Sequence, residues 1–156
     1  MFERIEKTMN EVRNILIGDS DIRKLVYNDS NNALQLSSPT VDQVQKYIVT
    51  CPIFDLCETD EYNRNTLIQV ELDSTDNKDG YLDGVLRVNI VCNREKWNLV
   101  DAKIRPLQIV NRVVDLLDGN KFSCSNELLF DNLTPLIINK KITGYALLFQ
   151  LRDGNN

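Results

Sequence analysis

The sequence predicts an α+β fold in which helices pack on one mainly antiparallel sheet, and three observations lead there. Phe2, Ile5, Met9, Val12 and Leu16 recur at steps of three and four, which places them on one stripe of a helix. "TLIQVELD" and "VLRVNIVCN" alternate apolar and polar residues with the period of two that a half-buried strand requires. The segments run helix, helix, strand, strand, helix, strand, strand. Such blocks favour helices on an antiparallel sheet over a strict alternation of strand and helix.

Each element has its own local warrant. "GDSD" at 18–21 ends the first helix and supplies cap residues for a short second one carrying Ile22, Leu25 and Val26. After the polar loop 28–40, Thr40 with Gln43 three residues on forms a capping-box pattern. Val41, Val44 and Ile48 then face inward from a short helix, unless "KYIVT" is strand, and Pro52 ends either one. Ile68, Val70 and Leu72 oppose Gln69, Glu71 and Asp73, which read as an exposed strand face. Leu86, Val88, Ile90 and Cys92 oppose Arg87 and Asn89 in the same way. "STDNKDGYLDG" reverses the chain between these strands, giving a long antiparallel β-hairpin.

The stretch "WNLVDAKIRPLQIVNRVVDLLDGN" predicts an amphipathic helix over about 101–118. Asp101 is its N-cap, Pro106 falls near its first turn, and Gly119 stands just past its end. Leu107, Val110, Val114 and Leu117 form the inward stripe, broadened by Val113, and Trp97 packs under the helix. "ELLFDNL" and "PLIIN" suggest two short strands. "KKITGYALLFQLRD" closes the sheet with Tyr145, Leu147, Phe149 and Leu151 on one face.

A chain of 156 residues lies near the commonest domain size, and a single domain over 1–156 is expected. Apolar residues at 42% and charged residues at 26% are ordinary for a folded globular chain. The net charge of −5 is spread along the sequence and offers no broad basic face to neutralise phosphates. "MFERIEKTMNEV" lacks the apolar core of a signal peptide and no run reaches spanning length. A cytoplasmic protein without membrane contact is therefore expected, its four cysteines reduced and mostly buried.

Motifs for chemistry fail one by one. With no histidine, Ser-His and Cys-His pairs and the usual zinc ligand mixtures are excluded. An EF-hand with Gly80 at its sixth position needs an acid where Thr75 stands and again at its twelfth, where Leu86 stands. The acidic loop 73–83 therefore reads as a solvated hairpin tip, able to serve as a contact arm. Asp55 with Glu71 and Asp73 approximates the acidic constellation of metal-dependent nucleases, but Asp73 occupies the place of the required lysine. No glycine-rich phosphate loop occurs. No catalytic residue, cofactor or metal site is therefore expected. Arg94, Lys96, Lys103 and Arg105 cluster around Trp97 as a small positive patch.

The helices "FERIEKTMNEVRNIL" and "DIRKLVY", the segment "CPIFDLCETDEYNRNTLIQVEL", the hairpin through "LRVNIVCNREKWNL", the helix "IRPLQIVNRVVDLLDGNK" and the closing "TGYALLFQLRDG" together resemble the tail terminator, or head–tail joining, proteins of tailed bacteriophages. The likeness is one of pattern over nearly the whole chain. It implies a non-enzymatic virion protein, assembled in the host cytoplasm and located at the tail and neck. Its copies would form a homo-oligomeric ring, usually of six, that caps the tail tube, contacts the tube protein and a neck or head-completion protein, and lets DNA pass through its lumen as cargo. Expected contact residues are Asp76, Lys78, Asp79, Tyr81 and Asp83 at the hairpin tip. Arg94, Lys96, Arg105 and Arg112 are expected around the following helix. Alternatives are another neck component (stopper or connector), a small cytosolic protein-binding module and, last, a carboxylate-metal nuclease using Asp55 and Glu71.

Overall fold

The computed structural model describes residues 2–53, 66–78, 81–124 and 126–153. The amino-terminal helix α1, Phe2–Gly18, buries Ile5, Thr8, Val12, Leu16 and Ile17. Phe2, expected on the inward stripe, is 57% exposed because the stripe leaves the sheet at the helix's first turn. Thr8 takes an inward position by satisfying its hydroxyl twice. It donates to the Arg4 carbonyl and accepts from Asn126 Nδ2, both at 2.9 Å, which ties the helix to the far end of the sheet.

Helix α2, Ser20–Tyr27, starts at the predicted break, with Asp19 as N-cap accepting from the Ile22 N–H at 3.0 Å. The capping box forms as read. Thr40 N–H donates to Gln43 Oε1 at 2.8 Å, while the Thr40 hydroxyl accepts from Gln43 N–H at 3.4 Å. The helix it starts, α3, covers only Val41–Val44, passes through a 3-10 turn at Gln45–Tyr47 and becomes the two-residue strand β1, Ile48–Val49. "KYIVT" is thus divided between turn and strand. Val44 and Ile48 are buried, but Val41 is exposed.

Strands β2, Leu67–Lys78, β3, Tyr81–Asn93, β4, Asn126–Ile137, and β5, Ile142–Asp153, complete a five-stranded sheet in the order β1-β2-β3-β5-β4. Among the described strands only β1 is parallel to its neighbour. The fold is therefore α+β with a mainly antiparallel sheet, as predicted. The two short strands expected in 127–139 are one strand, β4, with a bulge between Phe130 and Asn132. Pro135 does not break it because β4 is an edge strand, where a missing N–H removes no ladder bond. Gly144 is imposed by a close approach: a Cβ there would lie 1.7 Å from the Ile90 carbonyl oxygen.

The later helix, α4, spans Arg105–Leu117 rather than 101–118. Asp101 is not its N-cap. Asp101 and Ala102 adopt left-handed backbone, φ 62° and 58°, in the turn before it, and Ile104 holds the cap position. Pro106 lies in the first turn and Gly119 follows the end at φ 75°, both as read. Pro106, Ile109, Val110, Val113 and Leu117 are buried, whereas Leu107 and Val114 are only partly so. The inward stripe is rotated by part of a turn from the expected one.

Helices α1 and α4 cover the sheet face carrying Ile68, Val70, Val88, Ile90, Leu147 and Phe149. The second face also departs from expectation. Gln69 and Asn89, expected in solvent, are each 4% exposed. Val91 and Ala146 on the same face are fully buried, and Ile53, 1% exposed, lies over it. Among the described residues no helix is long and apolar enough to cross a membrane.

Candidate functional site

The hairpin is longer than the sequence pattern indicates, because β2 and β3 continue pairing to Lys78 and Tyr81. The ladder from β3 to β5 ends at Gly84 opposite Leu151. Beyond it, three further β2–β3 pairs extend about 10 Å as a two-stranded arm. Asp76 stands directly opposite Asp83 in this arm; Asp76 is exposed and Asp83 partly buried. Lys78 and Tyr81 pair through their backbones, while their side chains, and Asp79 entirely, lie outside the described residues.

The structure separates the basic residues that spacing groups together. Arg94 and Lys96 lie in a 3-10 turn, Arg94–Lys96, at the end of β3, with Arg94 exposed and its Nη1 donating to the Lys140 carbonyl at 3.3 Å. Arg105, expected at a contact surface, is 1% exposed. Its guanidinium donates to the carbonyls of Lys96, Leu25, Asn28 and Ser30 at 2.5–2.9 Å. Burial lowers its pKa, opposed by the nearby Cys92 and Asp29, but an arginine remains charged. Arg112 is held by Asp19, Nη2 to Oδ1 at 2.6 Å. Burial pushes the Asp19 carboxyl up, yet the hydrogen bonds from Arg112 and the Ile22 N–H outweigh it, and its pKa is lowered. That Asp19 hydrogen bond in turn raises the Arg112 pKa.

Other arginines follow the same pattern. Arg13 donates to the Ile48 and Gln45 carbonyls, and Arg23 to those of Pro39 and Ile17. Positive charge here knits irregular backbone together, which composition alone cannot reveal.

Two further features were not singled out by the sequence. Edge strand β4 carries an uncovered apolar row, with Phe130 at 38%, Leu133 at 36% and Ile137 at 73% exposure. Alternation on a strand marks which residues share a face, but not that the helices stop short of this edge. On the second face, Gln69 lies opposite Asn89 and Glu71 opposite Arg87. Asn89 Nδ2 donates to Gln69 Oε1 and Glu71 Oε1, each at 2.9 Å, and Gln69 Nε2 donates to the Cys51 carbonyl at 2.9 Å. Arg87 Nη1 lies 4.0 Å from Glu71 and 3.7 Å from Asp73.

This row contains Glu71, one of the two carboxylates weighed for a nuclease; Asp55 lies outside the described residues. Among the described residues no group of three or more His, Cys, Asp or Glu could hold a metal ion. The cysteines are less uniformly buried than expected. Cys92 is buried, Cys124 intermediate and Cys51 exposed, while Cys57 lies outside the described residues. Burial pushes the Cys92 thiol up to about 12. Trp97 is only partly buried, its ring 6.0 Å from that of Tyr145.

The model of one protein family, YomW, matches residues 19–151, from the N-cap of α2 to the end of the β3–β5 ladder. No curated protein matches the chain.

Proposed function

The chain belongs to the YomW family, whose name points to phage-derived proteins, and on that premise we propose that it is a structural virion protein of a tailed phage, a tail terminator. Its copies close into a ring on the end of the tail tube and join the tube to the neck. The observation that carries this reading is a sheet that, among the described residues, is open at both sides. Strand β4 presents its outer edge over twelve residues, and on the other side β1 pairs with β2 only at Ile68 and Gln69. Two different edges on opposite sides of one subunit are what a head-to-tail contact needs, and such contacts close into rings when the rotation permits. The exposed row Phe130, Leu133 and Ile137 beside the β4 edge is apolar surface that a neighbouring subunit would cover.

In this reading the arm from Asp76 to Asp83 reaches out of the ring plane toward tube or neck protein, with Arg94 and Lys96 presented beside the sheet. A ring of six follows the resemblance to terminators. The net charge of −5, with Arg13, Arg23 and Arg105 engaged by backbone carbonyls, suits a lumen through which DNA slides without adhering. Negative-stain microscopy of the protein added to polymerising tail tubes tests the proposal. Tubes capped by a ring at a fixed length are expected. Tubes that grow unchecked with the protein unbound would overturn it.

A further inference from the structure

Among the described residues, the polar row on the second face leaves two hydrogen-bonding atoms without partners, Asn89 Oδ1 and Arg87 Nε. Both residues line one cavity of about 240 Å³. The amide orientation of Asn89 follows from its neighbours. The end lying 2.9 Å from Glu71 Oε1, an acceptor-only group, has to be the NH2, so the carbonyl end turns away from β2. The terminal guanidinium of Arg87 reaches toward Glu71 and Asp73, which leaves its Nε–H unmet. Asn89 is 4% exposed, and native interiors seldom retain a buried carbonyl with nothing to accept. Gln69 and Glu71 line it as well, and the rest of the wall is apolar: Pro52, Ile53, Leu136 and Ile138.

Residues two apart on one strand face have Cα atoms about 6.6 Å apart, so the Arg87 donor and the Asn89 acceptor are neighbours on the cavity wall. One amide carries both an acceptor oxygen and an N–H donor, so a single group can accept from Arg87 and donate to Asn89. A carboxylate would bring no donor to Asn89 and would lie against Glu71. An ammonium group would bring no acceptor to Arg87. We propose that this cavity is an amide-binding site, taking one amide group from an extended peptide segment of a partner, either an Asn or Gln side chain or a main-chain peptide unit. The volume is below the range of about 300–1,000 Å³ that holds drug-sized ligands and fits a single side chain. The apolar walls hold the carbon atoms next to the amide. The site does not depend on the ring, and a partner other than a terminator's could fill it.

The test is an NMR titration of the full chain, following the side-chain N–H signals of Arg87 and Asn89. The probes are acetamide, N-acetylglycine methylamide and N,N-dimethylacetamide. Acetamide is expected to shift both signals saturably. N,N-dimethylacetamide, which cannot donate, should bind about tenfold more weakly, the equivalent of one hydrogen bond. Binding of N-acetylglycine methylamide at least as tight as acetamide supports a main-chain source, and weaker binding an Asn or Gln side chain. The Arg87→Lys variant keeps a cation beside Glu71 and Asp73. It should retain a folded spectrum and lose saturable binding, which keeps the test valid even where Asn89→Leu fails to fold. Absence of saturable shifts, an equal response to N,N-dimethylacetamide, or unchanged binding in Arg87→Lys overturns the proposal.

Discussion

Arg105 joins four separate carbonyls, from α2, the loop after it and the turn before α4, into one buried cluster. A lysine offers three donors on a point charge and cannot reproduce that fork. Arg105→Lys is therefore expected to cost about 3 kcal/mol, since it leaves buried carbonyls unmet, and urea unfolding would measure it. Asp19 has its pKa lowered in the folded state, so its contribution is present above the ordinary carboxylate value of about 3.9 and is lost as pH falls through the lower, folded value. Asp19→Asn should lose roughly 0.5–1 kcal/mol near neutral pH and flatten the stability curve below about pH 4. Cys92, pushed up to about 12 by burial, should resist thiol reagents at pH 8 until the protein unfolds, while the exposed Cys51 reacts at once. Peptide mapping after labelling would separate the two sites. Spacing places Arg105 at a surface because its position in sequence gives no sign that the carbonyls of Leu25, Asn28 and Ser30 converge on it.

At the level of elements, the regular periodicities were legible and their ends were not. The stripe of α1, the caps at Asp19 and Thr40, and the alternation of β2, β3 and β5 could all be read from local residue chemistry. The start of α4 could not, because a left-handed turn at Asp101–Ala102 precedes it, and no local signal distinguishes that turn from an N-cap. The continuity of β4 was hidden by Pro135, which reads as a break until the strand is known to lie at an edge. Gly144→Ala is expected to be among the most damaging single changes, several kcal/mol, because its Cβ would meet the Ile90 carbonyl at 1.7 Å and backbone would have to move. A thermal melt would show this as a large fall in Tm with no gain elsewhere. By contrast Ile137→Lys, at a site 73% exposed, should leave Tm within about 2 °C and weaken the proposed assembly into a ring, as sedimentation would record.

For the whole molecule, the fold class and the phage relationship were legible, because the order of elements survives modest errors in their boundaries. The surface features on which the proposal rests were only partly so. The hairpin arm could be read from its alternating strands. The open edge of β4 and the polar row of Gln69, Glu71, Arg87 and Asn89 emerge only when strand order places distant segments side by side. Among the described residues the sheet has two free edges and an uncovered apolar row, and these are the features on which the proposed contact between copies rests. The most direct measurement is the position of the protein in intact virions, by electron microscopy with a gold-labelled antibody against it. The account predicts label at the junction of head and tail on each particle. Virions without label, or label on the capsid shell or the tail tip, would contradict it.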